Sequence, residues 1–224
     1  MATSLSTLEQ RVQTLFDVSG STVLSAAELD QFINDAYRKL WAMVVAVNKD
    51  FRLTPMPFTL AAGVQAVAFP ADFMEIRFVR YNPGTDNQFY LTKFGAKSGS
   101  QQFTRTYRPS GTNLIIEPLQ NAAGSYSLDY IPQPPKLVSG TDTLDAELDQ
   151  FSDFIVYDAA IAALSREETD AGQLVALCYG IPGDPKNPGI AGRVTRWASD
   201  QRAADPDHIE DVRNRSTWLW APPP

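Results

Sequence analysis

The chain has one cysteine, Cys178, and one histidine, His208, among 224 residues, which leaves several chemistries without their side chains. A lone cysteine excludes an intrachain disulfide framework, so core packing has to hold the fold. A lone histidine offers no pair of histidine ligands for a metal. A Ser-His-Asp triad would have to use His208, which stands in the polar stretch Asp205-Pro206-Asp207-His208, and no Gly-x-Ser-x-Gly elbow is present. Gly-rich phosphate loops of either common spacing are missing too. The longest apolar run, Trp41 to Val47, falls far short of a membrane span. No charged leader with an apolar core opens the chain, so it reads as soluble and not exported. Clusters of Lys and Arg are also lacking, and the formal net charge is −7. Affinity for nucleic acid comes mainly from neutralising phosphate, so a grip on DNA or RNA is disfavoured.

What is present is ordinary globular chemistry, 44% hydrophobic and 20% charged, with enough apolar content for a core. Charge is unevenly placed. Residues 1–50 carry four basic and six acidic groups, residues 51–135 seven and five, and residues 136–224 eight and fifteen.

Two apolar helix patterns stand on either side of a stretch punctuated by Pro and Gly. The first runs from Ser25 to Asn48, where Leu29, Phe32, Ile33, Ala36, Tyr37, Leu40, Trp41, Val44 and Val45 repeat at three- and four-residue steps. That spacing puts them on one helical face, and Ser25 with Glu28 forms a capping box at its start. The second runs from Phe151 to Leu164, with Phe151, Phe154, Ile155, Ile161, Ala162 and Leu164 on a similar stripe. A shorter helix precedes both, from Ser4 or Ser6 to Asp17, with Ser6 and Glu9 at capping-box spacing. Further helices are expected from about Asp170 to Tyr179, capped by Thr169 or Asp170, and from Ile190 to Ala204. Ile181 to Pro188 holds three prolines and reads as a loop.

Between the two main helices the period changes to two. Strand-like runs are Phe51–Thr54, Val64–Phe69, Met74–Tyr81, Phe89–Leu91, Gln102–Tyr107, Asn113–Ile116 and Ser125–Ile131. Turn chemistry separates them at Asn82-Pro83-Gly84, Pro109-Ser110-Gly111 and Asn121 to Gly124. Together they predict a small antiparallel sheet or sandwich. Pro132-Gln133-Pro134-Pro135 is stiff and extended and reads as the exit from it.

Three features invite a chemical reading. The acids Asp142, Asp145, Glu147, Asp149 and Asp153 could supply a cation site or a glycosidase pair, but the calcium-loop pattern is absent. Acids also gather at helix N-termini because the macrodipole favours them there, and that is the plainer reading. Cys178, beside Tyr179 near the end of an apolar helix, reads as a packing cysteine and not a nucleophile. Trp218, Leu219 and Trp220 stand in a polar segment ending in prolines, with Arg213 and Arg215 just before them. Aromatic anchors of this kind dominate interfaces, and the alternative is a tail folded back on its own domain.

The helix Leu5 to Asp17, followed by Leu24-Ser25-Ala26-Ala27-Glu28-Leu29-Asp30-Gln31-Phe32-Ile33-Asn34-Asp35-Ala36, resembles the opening of tailed-phage adaptor proteins, also called head-to-tail connectors or tail tubular protein A. Phe69-Pro70-Ala71-Asp72-Phe73 resembles that family's lead-in to a strand ending in Arg77 to Tyr81. Tyr130-Ile131-Pro132 followed by Phe151 to Leu164 resembles its return to the helical bundle. The likeness covers about residues 4–178. It implies a homo-oligomeric ring, usually of twelve copies, between the portal protein and a tail nozzle or tail tube protein. DNA would pass through its lumen non-specifically. It also implies a C-terminal segment docking on the portal, the role that Arg213, Arg215, Trp218, Leu219 and Trp220 would fill here.

The reading that follows is an α+β fold: a helical bundle built from both chain ends, an inserted antiparallel β domain and an extended C-terminal tail. The expected bounds are 1–50 and 137–205 for the bundle, 51–136 for the β domain and 206–224 for the tail. The bundle core is expected to include Leu29, Phe32, Ile33, Leu40, Trp41, Phe154, Ile155 and Ile161. Function is expected to be structural and not enzymatic, with no cofactor, no metal and no membrane partner. The expected location is the head–tail junction of a virion, reached from the host cytoplasm, with the acidic helices lining the lumen. The alternative is a virion-associated cell-wall glycan hydrolase or glycan-binding module. A helix-turn-helix regulator is disfavoured, because the second helix is too long and apolar for a recognition helix.

Overall fold

A computed structural model describes residues 2–16, 24–94, 105–166, 170–182 and 184–204. Among these the chain forms five α-helices: α1 (Leu5–Phe16), α2 (Ala26–Val47), α3 (Ser152–Arg166), α4 (Gly172–Tyr179) and α5 (Gly189–Ala204). Eight strands lie between α2 and α3: β1 (Thr54–Leu60), β2 (Ala66–Ala68), β3 (Phe73–Tyr81), β4 (Phe89–Tyr90), β5 (Thr92–Lys93), β6 (Thr106–Ser110), β7 (Asn113–Glu117) and β8 (Gly124–Pro132). None of the described helices is long and apolar enough to cross a membrane.

Both ends of α2 fall where its sequence puts them. The Ser25 side chain accepts from Glu28 N–H while the Glu28 carboxylate accepts from Ser25 N–H at 3.0 Å, and Asn48 closes the far end. Eight of its nine stripe residues are buried and Phe32 is half-buried against the same core. Of the two starts expected for α1, the structure has the first. Ser4, not Ser6, caps it, accepting from Thr7 N–H at 3.3 Å. The N–H of Ser6 instead donates to the Gly140 carbonyl at 3.1 Å, because the returning chain supplies acceptors a capping box would otherwise provide.

The second stripe is out of phase with its helix. A 3-10 turn, Asp149–Phe151, precedes α3, whose buried residues include Phe154, Ile155, Val156, Asp158, Ala159, Ala160 and Ala163. Ile161, Ala162 and Leu164 are only half-buried. The reason is position: α3 packs against all four other helices and so has no single apolar face. The start of α4 is also later than expected, with no side-chain cap at Ala171, although Asp170 Oδ1 accepts from Gly172 N–H at 2.8 Å.

The β strands form two sheets, ordered β1-β8-β3-β4 and β2-β7-β6-β5. The pairing is antiparallel throughout except for β5 with β6, which run parallel from Thr92 opposite Thr106. That short contact departs from an all-antiparallel sheet. The strand β1 departs further: a run was expected over Phe51–Thr54, whereas the strand only begins at Thr54 and carries Pro55 and Pro57. It survives because it is an edge, paired only to β8, where a missing N–H costs no ladder bond. The residues 102–104 of the expected strand Gln102–Tyr107 lie outside the described residues.

The central strand β8 joins the two apolar cores. Tyr126, Leu128 and Tyr130 pack with Leu60, Val79, Leu114 and Ile116 between the sheets. Ile131, on the opposite face, belongs to the helical core with Leu40, Trp41, Val44 and Phe154. Adjacent residues of one strand thus point into different cores, as period-two geometry requires.

Candidate assembly surfaces and the junction cleft

The helices meet the sheets through specific polar contacts. Trp41 Nε1 donates to the Pro132 carbonyl at 3.0 Å. Lys49 pairs with Glu75 at 3.1 Å and Asp50 with Arg77 at 2.9 Å. Arg52, held at φ 54°, reaches Asp145 at 2.8 Å and Glu147 at 3.1 Å. An open cleft of about 490 Å³ lies at this junction, lined among others by Trp41, Arg52, Leu53, Asp72, Pro132 and Pro135.

The acidic run is a set of staples. Asp142 accepts from Val138 and Ser139 N–H at 2.7 and 2.8 Å, and those bonds, Ser139 first, hold its carboxyl below the usual range. Asp145 and Glu147 hold Arg52. Asp149 Oδ1 accepts from Thr3 N–H at 2.7 Å, and Asp153 pairs with Arg11. Asp149 and Asp153 do stand at the start of the 3-10 turn and in the first turn of α3, as the helix-dipole reading expects, and the acids also bind the N-terminal segment and the junction to the returning chain. The carboxylates a glycosidase would use are all engaged in these contacts, and no group of three metal-ligating side chains occurs among the described residues.

Three buried polar groups, Asn34, Asp129 and Asp158, were not singled out from the sequence. Asn34, in the middle of the α2 stripe, bonds both backbone groups of Leu137. Asp129 takes Arg80, whose Nη2 donates to Oδ1 at 2.7 Å and whose Nε lies 2.6 Å from Oδ2. Asp158, 4% exposed in α3, takes Lys39 at 2.8 Å and the Tyr179 hydroxyl. Burial, then the bond to Asp158, pushes the Tyr179 phenol up. Cys178 is fully buried and its thiol is pushed up to about 12, chiefly by burial, so it is an inert packing residue. The signal available for Asn34 was its place inside an apolar stripe, where a polar residue needs a partner.

The sequence-derived core residues come together: Leu29, Ile33, Leu40, Trp41, Phe154 and Ile155 are buried in the helical core, with Phe32 and Ile161 packed against it. The residues Arg213, Arg215, Trp218, Leu219 and Trp220, like His208, lie outside the described residues. Large apolar side chains are exposed singly at Leu15, Val64, Met74, Leu119 and Val138, and in groups at two places. Val175, Leu177 and Tyr179 of α4 continue into Ile181, and Phe89, Tyr90 and Phe94 stand around β4 and β5.

The motifs quoted for the phage-adaptor likeness are joints of this architecture. Ser25 and Glu28 cap α2, and Asn34 fastens the chain leaving the sheets. Asp72 Oδ1 accepts from the Tyr130 hydroxyl at 2.9 Å, and Phe69 stacks on Phe73 with centroids 4.0 Å apart. A search of curated proteins returns no match to the chain. Residues 3–180 match the SU10 adaptor protein family, a span that holds α1 to α4, all eight strands and each of these joints. The chain belongs to the SU10 adaptor protein family.

Proposed function

We propose that this chain is a structural virion protein, a head-to-tail adaptor that forms a ring between the portal and the tail nozzle or tail tube and surrounds the DNA channel. The match of residues 3–180 to an adaptor family carries the reading. That family is structural and not catalytic, and it belongs to phage virions. Ring closure, a copy number near twelve, and contacts with portal and tail proteins are the finer parts of the proposal, as are assembly in the host cytoplasm and the division into residues 1–50 with 137–205, 51–136 and 206–224.

Two observations support a ring. Rings need heterologous contacts, in which two different faces of a subunit complement each other. The exposed apolar side chains of α4 and of β4–β5 are two such separate faces. The net charge of −7 suits a wall that DNA slides past without binding, with the acidic helical segments contributing most of the lumen surface. In this reading Arg213, Arg215, Trp218, Leu219 and Trp220 dock on the portal.

The test is the mass of the purified chain alone and mixed with its portal, by native mass spectrometry or light scattering. A defined multimer on the portal supports the adaptor. A monomer indifferent to the portal removes it. Binding that survives deletion of Trp218 to Pro224 keeps the adaptor and discards portal docking by that segment.

A further inference from the structure

The junction cleft is a seat without an assigned occupant, and the course of α5 indicates one. Gly180 (φ 85°) and Gly189 (φ 64°) pack backbone to backbone at the start of α5, where a Cβ on either would meet main-chain atoms within 2.4 Å. Tyr179, beside them, reaches Asp158, which also takes Lys39 from the middle of α2. Further along α5, Trp197 meets Phe51 at 6.4 Å and Phe151 at 5.4 Å, and Phe51 meets Trp41 at 5.1 Å. The helix α5 therefore runs alongside α2 in the same direction, and the ring contacts from Trp197 through Phe51 to Trp41 link it to the wall of the cleft. The helix α5 ends at Ala204, seven residues beyond Trp197.

Reach and chemistry both fit. The residues from Asp205 to Thr217 can span up to about 43 Å at roughly 3.3 Å per residue. That exceeds the length of α2, about 33 Å at 1.5 Å per residue. The segment that follows, Trp218-Leu219-Trp220-Ala221-Pro222-Pro223-Pro224, joins two indoles to three prolines. Proline-rich segments are extended before they bind and lose little freedom on docking. The cleft offers apolar surface from Leu53, Pro132 and Pro135, with Arg52 as a donor for carbonyl oxygens. Its volume of about 490 Å³ falls within the roughly 300–1,000 Å³ of ligand clefts.

We infer that the junction cleft holds the segment Trp218–Pro224 of its own chain while the protein is free of partners. A partner that takes the segment must then displace it from the cleft, whatever that partner is, so the inference stands apart from the adaptor reading.

Disulfide trapping in the full-length chain tests it. Gln133 lines the cleft and is exposed, so Q133C with A221C places one thiol on each side of the contact. Cys178 is buried and stays out of the exchange. The control is S110C with A221C, on the exposed β6–β7 hairpin outside the cleft. Docking raises the local concentration of the two thiols, so the Q133C pair should close within one chain about tenfold faster than the control. K136C, exposed and one residue beyond Pro135, serves in place of Q133C should that variant fail to fold. Equal rates for cleft and control pairs, or crosslinks found only between chains, overturn the inference.

Discussion

Asn34 Oδ1 accepts the Leu137 N–H at 2.8 Å while Asn34 Nδ2 donates to the Leu137 carbonyl at 2.9 Å. The same Nδ2 also donates to the Asp30 carbonyl one turn back, at 2.8 Å. One side chain in an apolar stripe thereby satisfies both backbone groups of a buried residue far along the chain. Leu137 needs this because it follows two prolines and belongs to no helix or strand. The contact returns the chain from the sheets to the bundle in a fixed place.

Replacing Asn34 by Ala should therefore cost more than the lost bonds alone. The Leu137 N–H and C=O would stay buried without partners, at about 1–3 kcal/mol each, so the expected loss is about 2–6 kcal/mol. Asn34→Leu restores volume but not the bonds and should recover less than half of that loss. Urea unfolding at constant m-value measures both. A loss for Asn34→Ala near that of an exposed helix position would contradict the role given to this contact.

These contacts mark what could be read from sequence and what could not. The helix α2 was legible because its stripe, its capping box and its stop are all local. The strand β1 was not, since Pro55 and Pro57 forbid a central strand and only pairing shows that it is an edge. The stripe of α3 failed because a helix packed on four others has no polar face to set the phase. The acidic run was visible, but its partners Thr3, Arg11 and Arg52 come from distant segments that no local pattern links to it. Of the candidate site, the adaptor motifs were legible as residues, and their purpose as joints appeared only in three dimensions.

Arg52 combines a strained backbone with two ion pairs, and substitutions separate them. At φ 54° a residue with a Cβ is unfavourable, whereas glycine is not. Arg52→Ala loses the pairs to Asp145 and Glu147 and keeps the strain. Arg52→Gly loses the pairs and relieves the strain, so it should be the more stable of the two by about 1 kcal/mol. Chemical denaturation of the two variants side by side decides this, and a more stable Ala variant would refute it.

Asp129 is 4% exposed, and its Oδ1 accepts from both Arg80 and the Ser127 hydroxyl, the latter at 3.0 Å. Asp129→Asn keeps the shape and leaves the guanidinium without its counter-charge. Breaking a fully buried pair costs about 3–5 kcal/mol, but the Arg80 side chain is 26% exposed, so about 2 kcal/mol is expected. The double variant R80Q/D129N should then be more stable than the two single losses add up to, with a coupling of at least about 1 kcal/mol. Additive losses would mean that the pair contributes nothing beyond packing.

Glu9 of α1 sits beside Asp30 of α2, and its carboxyl is held above its ordinary value, first by burial and then by the Asp30 carboxylate. A carboxyl raised in the folded state binds its proton more tightly there than in the unfolded chain. Its stabilising contribution is thus complete below about pH 4.5, the ordinary value, and is lost as pH rises through the folded value. At pH 7 the two like charges oppose the contact between α1 and α2. Glu9→Gln removes one of them and should stabilise the protein at pH 7 by about 0.5 kcal/mol, the scale that solvent screening leaves to such pairs. The gain should shrink toward zero as pH falls to 4.5, because the parent carboxyl is then protonated as well. Thermal unfolding of parent and variant from pH 4 to 8 gives the curve. A gain that is constant across that range would assign the effect to side-chain propensity and not to charge.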